Sequence, residues 1–178
     1  MASLATWIET RSGTHVDILN PDPSAIRVED IAHALACTNR YGGHLYAPYS
    51  VAQHAVIMSE ICPPDLAFEC LHHDDEEAFI GDMPSPFKKV MPEFKKCAAR
   101  LEAAIRAHLG LPGDKHPATV KHWDNVMLMT EARDFQLGWY GTNKHVDMPA
   151  AHPFITITPW PWDMAKRRFL QRHHELTS

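Results

Sequence analysis

The sequence has none of the features that mark a disulfide framework, a paired-cysteine metal site or a membrane span. Its four cysteines occur singly and form no CxxC or CxxxC pair. Isolated cysteines in a chain long enough to build its own core indicate reduced thiols, and therefore a cytoplasmic protein. No stretch approaches the roughly 18 apolar residues that a membrane span requires. The first twelve residues lack a basic region followed by an apolar run, so no signal peptide is expected.

An excess of positive charge is also missing. The formal net charge is −5 with histidine neutral, whereas domains that coat nucleic acid carry a basic stripe. Nucleic-acid and membrane partners are therefore not expected, although a nucleotide ligand needs only a few well-placed cations. What the chain has in abundance is histidine, with 13 residues in 178. Histidine is the commonest metal ligand, so this count favours a metal site.

Apolar periodicity predicts an all-α fold: one domain over residues 1–178, with a small β-hairpin within residues 5–19. Residues 81–89 and 138–160 are predicted to be loops because they are rich in turn-forming residues. Ser50 is the expected N-cap of the second helix, with Gln53 at the capping-box position. The predicted helices are Val28–Cys37, Ser50–Ile61, Pro64 to about Phe79, Glu93–Leu109, Pro117–Leu137 and Pro161 to about Leu176.

The third predicted helix contains six consecutive ionisable residues, 72–77. A helix cannot expose all six while its apolar residues pack inward, so some of them need partners or a metal. His73 and Asp74 are placed to reach one ion. Glu77 lies one turn later, where it would orient a water molecule or exchange a proton. The alternative is a solvated acidic helix face with one core histidine.

Two further residues fit a metal site. His54 lies among apolar residues of the second helix, and Asp124 lies beside the apolar face of the fifth helix. Each also has an ordinary structural interpretation. His54 would be a hydrogen-bonded core histidine, and Asp124 would pair with Lys121 or Arg133.

Together these residues form a set of two nitrogen and two oxygen donors from three helices. The set is His54, His73, Asp74 and Asp124. It suits Mn²⁺, Co²⁺, Fe²⁺ or Zn²⁺ better than Ca²⁺ and leaves coordination positions for water and a phosphate oxygen. Arg40 and Lys88, on neighbouring loops, would supply cations for a phosphate, or would serve only solubility.

Four linked segments resemble the HD-domain phosphohydrolases, in the branch of small bacterial and phage nucleotidases. These segments are NRYGGH (39–44), YSVAQHAVIMS (49–59), LHHDDEEAFIGDMPSPFK (71–88) and HWDNVMLMTEARDF (122–135). The similarity extends over about residues 17–175 and keeps the order and spacing of the segments. It implies a single HD-domain helical bundle.

The resemblance implies a role for each matching residue. His54, His73, Asp74 and Asp124 would hold one divalent metal, namely Co, Mn, Zn, Fe or Mg. Glu77, together with Asp74, would form the catalytic centre, with Glu77 activating the attacking water. The substrate-binding residues would be Arg40 and Lys88 on phosphate, Asp82 near the deoxyribose, and Tyr41 against the sugar.

The branch contains two types of activity, and the sequence leaves both open. One is hydrolysis of a purine deoxynucleoside triphosphate such as dATP, either with release of triphosphate or by stepwise dephosphorylation. A triphosphate substrate would bring an additional Mg²⁺. The other is 5′-deoxynucleotidase action on deoxynucleoside monophosphates. A non-catalytic nucleotide or metal sensor and a purely structural helical domain are the other classes considered. The resemblance also favours a homo-oligomer, either a dimer or a hexamer.

Three residues depart from the pattern of the branch. They are His72, Asp75 and Glu76, where relatives more often carry apolar or small residues. They would either add a second metal site or be solvated, and the solvated interpretation is preferred.

Overall fold

The computed structural model describes residues 5–113, 117–142 and 146–178. Over these ranges the chain consists of α-helices and one two-stranded antiparallel hairpin, which confirms the predicted fold class. The strands are β1 (Trp7–Glu9) and β2 (His15–Asp17). The helices are α1 (Val28–Cys37), α2 (Val51–Ile61), α3 (Ala67–Leu71), α4 (Glu77–Ile80), α5 (Ser85–Val90), α6 (Pro92–Leu109), α7 (Ala118–Asp134) and α8 (Trp162–Thr177).

The hairpin is tied to α1 by one buried carboxylate. Asp30 accepts hydrogen bonds from the Thr10 hydroxyl (2.7 Å), the Ser12 hydroxyl (2.6 Å) and the Ser12 backbone N–H (2.9 Å). Val16, in the centre of β2, is buried in the same core as the helices. The hairpin is therefore part of the packed structure.

The core forms where α1, α2 and α8 pack together. Ile31 and Leu35 of α1 and Phe169 of α8 are completely buried, as the one-face apolar spacing of these segments predicts. Side chains along nearly all of α2 are buried, from Val51 to Ser59. Any polar side chain in the middle of α2 must therefore find its partners inside the protein.

Helix α2 begins as predicted, but Gln53 has a different role. The Ser50 hydroxyl caps the helix by accepting from the Gln53 backbone N–H. The Gln53 side chain does not complete a capping box. It donates to the Thr158 carbonyl and accepts from the Trp160 N–H, both at 2.8 Å. This fixes the segment that precedes α8 against the buried face of α2.

The predicted continuous helix from Pro64 to Phe79 is wrong. A 3₁₀ turn at Pro64–Leu66 leads into α3, and residues 72–76 form a turn before the short helix α4. A continuous helix would spread the six ionisable residues around its whole circumference. The turn instead lets His72, His73, Asp75 and Glu77 all become buried.

The predicted loop at residues 81–89 is also wrong in part, because Ser85–Val90 forms α5. Pro86 lies in the first turn of this helix, where the missing N–H costs nothing. Helices α6, α7 and α8 match their predicted ranges to within three residues at each end. Among the described residues, no helix is long and apolar enough to cross a membrane.

Candidate metal centre

The four predicted ligands come together from two helices and one turn. His54 projects from the middle of α2, His73 and Asp74 lie in the turn after α3, and Asp124 lies in α7. The Nε2 atom of His54 lies 3.2 Å from the Nε2 atom of His73 and 3.4 Å from Oδ1 of Asp124. Oδ2 of Asp74 lies 3.0 Å from Nε2 of His73. The helices thus bring residues that are 70 positions apart in sequence to one point.

Both imidazole rings are oriented by bonds at their other nitrogen. Nδ1 of His54 lies 2.6 Å from a Glu131 carboxylate oxygen, and Nδ1 of His73 lies 2.8 Å from the Cys70 carbonyl oxygen. Because a carboxylate and a carbonyl only accept, each Nδ1 carries the proton and donates it. The two Nε2 atoms therefore face each other at 3.2 Å, an arrangement that a shared cation stabilises.

The charges around this point favour a cation. Burial lowers the pKa of His73, but the carboxylates of Asp74 and Asp124 outweigh that effect and raise it to about 9. Burial raises the pKa of Asp74 and of Asp124, yet the neighbouring histidines hold both well below the ordinary range. One donor atom each from His54, His73 and Asp124 lies within 4.8 Å of the others. The donor set fits a divalent transition-metal ion.

Glu131 is the residue that sequence reasoning missed. It is completely buried in α7, and its two carboxylate oxygens are divided between His54 on one side and Arg40 and Tyr41 on the other. Burial raises the pKa of Glu131, but Arg40 and His54 outweigh that effect and keep it low. Glu131 therefore orients one of the two histidines predicted to bind metal and holds the loop that carries Arg40 and Tyr41.

Arg40 and Tyr41 reach the site through this carboxylate. The Arg40 guanidinium lies 3.1 Å from Glu131 and 3.7 Å from Asp74, and the Tyr41 hydroxyl donates to Glu131 at 2.6 Å. Tyr41 has φ 57° and ψ 27°, the left-handed region that a bulky residue adopts only when its surroundings impose it. Their predicted contacts with phosphate and sugar stay predictions.

Glu77 lies beside the metal ligands and is only 3% exposed. One oxygen accepts from the Lys88 ammonium at 2.8 Å, and the other has no hydrogen-bond partner among the described residues. Burial, together with the Asp74 and Asp82 carboxylates, raises the pKa of Glu77 to about 8, although Lys88 opposes the rise. A carboxyl group with this pKa can exchange a proton near neutral pH.

A cleft of about 400 Å³ opens onto the ligands. Its walls include Pro117, Ala118 and Val120 from the start of α7, with Lys121 and Glu102 at the sides. The volume lies in the range of small-ligand sites. A larger groove of about 590 Å³, between the end of α1 and the start of α8, contains none of the predicted site residues.

The ordinary interpretation of Asp124 also holds in part. Lys121, one turn earlier, lies 2.5 Å from Oδ2 of Asp124, whereas Arg133 pairs with Asp134 instead. The other oxygen of Asp124 faces His54 and His73. A pair with Lys121 is therefore compatible with a ligand role.

The preferred interpretation of His72 and Asp75 as solvated residues is wrong. His72 is 2% exposed and Asp75 is 1% exposed, and they bind each other. Glu76 is partly exposed. Among the described residues, the two groups able to hold a metal include neither His72 nor Asp75. The turn around His73 and Asp74 is therefore held by buried polar contacts.

Comparison with known proteins places this site in a family. A family model described as 5′-deoxynucleotidase YfbR-like matches residues 44–131, the segment that contains all four predicted ligands. The chain is 42% identical over 174 residues to YfdR of Escherichia coli K12, covering 97% of this chain and 96% of that protein, which is described only as uncharacterized. The chain belongs to the YfbR-like 5′-deoxynucleotidase family. The resemblance to HD-domain phosphohydrolases is thus confirmed, and the chain is a metal-dependent phosphohydrolase.

Three of the similar proteins carry a named activity, and all three are named 5′-deoxynucleotidases. A 5′-deoxynucleotidase of Pasteurella multocida is 31% identical over 87 residues, which cover 48% of this chain and 36% of that protein. A 5′-deoxynucleotidase of Vibrio vulnificus is 29% identical over 111 residues, which cover 61% of this chain and 47% of that protein. The matched region therefore spans less than half the length of either of these two deoxynucleotidases.

Proposed function

We propose that the protein is a 5′-deoxynucleotidase that hydrolyses 2′-deoxynucleoside monophosphates to the deoxynucleoside and phosphate. The observation that carries the proposal is the convergence of two histidines and two aspartates beside a buried carboxyl group, at the base of a cleft. The family and the relatives named as 5′-deoxynucleotidases support the same substrate class.

The protein groups divide the work between binding and proton transfer. A divalent ion held by His54, His73, Asp74 and Asp124 would polarise the phosphoryl group and lower the pKa of a nearby water molecule. The ionised form of Glu77 accepts a proton from the attacking water as the new bond to phosphorus forms. The bond from phosphorus to the 5′-oxygen breaks, and the leaving oxygen takes up a proton from solvent water. With a pKa of about 8, the ionised form of Glu77 becomes more abundant as the pH rises toward 8, so activity should rise over the same range.

Cations paired with the carboxylates of the site would bind the phosphate. Arg40, Lys88 and Lys121 each form an ion pair with a carboxylate of the site. A phosphate oxygen entering between them would take over part of these contacts, with the planar Arg40 guanidinium suited to two oxygens at once. We further propose that Asp82 and Tyr41 contact the sugar, as the resemblance to the HD-domain phosphohydrolases implies.

The other functions that the sequence left open have less support than 5′-deoxynucleotidase activity. Release of triphosphate from dATP is not supported by the family match or by the named relatives, whose names describe 5′-deoxynucleotidases. A non-catalytic sensor would lack a ligand or the water-positioning carboxyl group, and all of these residues are present in the site. The identity of the metal, an additional Mg²⁺, the base preference and a homo-oligomeric state stay predictions.

A product-resolved assay tests the proposal. Metal-free protein is incubated with each deoxynucleoside mono- and triphosphate and each ribonucleoside monophosphate, in the presence of Mn²⁺, Co²⁺, Zn²⁺ or Mg²⁺. We expect inorganic phosphate from the deoxynucleoside monophosphates, and its loss when a chelator is added. Triphosphate released from dATP without turnover of monophosphates would overturn the proposal, and binding of deoxynucleotides without any turnover would do so equally.

A further inference from the structure

Two buried polar residues and one partly buried histidine next to the candidate metal centre have no role in the proposed chemistry. His72 and Asp75 lie in the turn that carries the ligands, and His173 lies in the C-terminal helix α8. Nδ1 of His72 is 2.6 Å from Oδ2 of Asp75, and Nε2 of His72 is 2.9 Å from Nδ1 of His173. These contacts form one chain from α8 to the turn.

The chemistry of the groups sets the direction of both bonds. The Asp75 carboxylate only accepts, so Nδ1 of His72 carries the proton and donates it. Nε2 of His72 is then an acceptor, and Nδ1–H of His173 donates to it. The His72 ring also packs edge-on against Phe68 at 4.8 Å and Phe169 at 5.4 Å between ring centroids. Both its polar atoms and its faces are therefore held in one orientation.

The position of these bonds relates them to the metal ligands. His73 and Asp74 lie between His72 and Asp75 in the sequence. The hydrogen bond between His72 and Asp75 therefore closes a loop that contains both proposed ligands.

The turn is closed by single backbone bonds, in which the Glu77 N–H donates to the Asp74 carbonyl at 3.0 Å and the Ala78 N–H donates to the Asp75 carbonyl at 3.1 Å. The flanking helices are short, with five residues in α3 and four in α4. In contrast, α8 has 16 residues and packs against α1, α2 and α3. A bond to α8 thus connects a turn between two short helices to a long helix.

We propose that His173, His72 and Asp75 form a brace that positions His73 and Asp74 for metal binding. The C-terminal helix then contributes to metal affinity although it supplies none of the four ligands. The inference rests on the metal centre that the proposed function requires. Groups that orient metal ligands commonly change metal affinity by 10- to 100-fold when they are removed.

The test measures Mn²⁺ affinity of the metal-free, full-length protein by isothermal titration calorimetry. His173→Ala removes the donor to His72, and we expect the dissociation constant to rise about 10-fold or more. His173→Asn keeps an amide N–H near the position of Nδ1, so its affinity should stay close to that of the unmodified protein. His174→Ala, at an exposed neighbouring position of the same helix, should have no effect. Circular dichroism reports whether each variant is folded.

The outcomes separate a positioning role from a merely structural one. The proposal is overturned if His173→Ala binds Mn²⁺ as tightly as His174→Ala, or if His173→Asn is as weak as His173→Ala. If His173→Ala does not fold, the Mn²⁺ affinities of His173→Asn and His174→Ala are compared instead. Equal affinity supports the brace, and weaker binding by His173→Asn contradicts it. No substrate is needed, so a protein that passes this test but releases no phosphate would refute only the proposed function.

Discussion

Glu69 and Asp74 lie five positions apart in sequence, yet their carboxylates have opposite surroundings. Glu69 meets Arg106, a fully buried guanidinium, at 2.7 Å, and the same guanidinium also donates to the Pro112 carbonyl at 2.6 Å. Asp74 meets His73 in a cluster where two further acidic groups, Glu76 and Glu77, come close. The first arrangement balances its charge within the protein. The second gathers donors for a cation from outside, which is the physical difference between a structural pair and a metal centre.

The largest expected effect comes from removing a ligand. Asp74→Ala should bind almost no divalent metal, because it removes an oxygen donor and the negative charge beside His73. Since the metal contributes several kcal/mol to transition-state stabilisation, phosphate release should fall by roughly 10³-fold or more. Elemental analysis of the purified variant and a phosphate assay measure both effects. A variant that keeps one equivalent of metal would show that Asp74 is not a ligand.

Glu77→Gln separates chemistry from metal binding. The amide keeps the shape of the side chain but cannot accept the proton, so the turnover number should fall roughly 10²- to 10⁴-fold. The metal content should remain unchanged. Glu93→Gln, in an exposed ion pair on α6, is the matched control and should behave as the unmodified protein does. Loss of metal together with activity in Glu77→Gln would make Glu77 a ligand instead.

Glu69→Ala tests the other side of the comparison. It leaves Arg106 buried without its carboxylate, which should lower the free energy of unfolding by about 3–5 kcal/mol. Mn²⁺ affinity of the folded variant should not change, because Glu69 is not part of the metal centre. Urea unfolding checks the stability, with Glu93→Ala as the exposed control. If both variants lose the same small amount, the pair between Glu69 and Arg106 is not a structural anchor.

Glu131→Gln is expected to have the smallest effect of the four. It removes the negative charge that orients His54 and holds Arg40, while its amide oxygen can still accept from the ring. Mn²⁺ affinity should fall about 10- to 100-fold. Calorimetric titration measures this, with Glu175→Gln on the exposed face of α8 as the control. An unchanged affinity would mean that Glu131 only supports the loop of Arg40 and Tyr41.

Regular helices were predictable because their apolar residues repeat with one period. The bounds of α1 agree with the prediction at both ends, and α2 begins after the predicted cap at Ser50. The turn at residues 72–76 was not predictable from periodicity, since it depends on contacts with α8 and α6 that are distant in sequence. The contact of His72 with His173 of α8, and the pair of Glu69 in the preceding helix with Arg106 of α6, are examples.

The candidate metal ligands stand out in the sequence as residue types, whereas the groups that contact them mostly do not. His54, His73, Asp74 and Asp124 stand out because charged or imidazole side chains lie where packing is expected. A signal for Glu131 was present as well. It lies seven residues, or about two helical turns, after Asp124, and therefore on the same face of α7. A buried His54 also requires an acceptor for its second ring nitrogen.

The central claim is that one metal ion is bound by His54, His73, Asp74 and Asp124. The most direct measurement is anomalous diffraction at the manganese edge from crystals of the protein grown with Mn²⁺. The predicted result is one strong peak bounded by the two Nε2 atoms and the two aspartate carboxylates. A peak held by other residues, or none at this point in crystals of active protein, would contradict the claim.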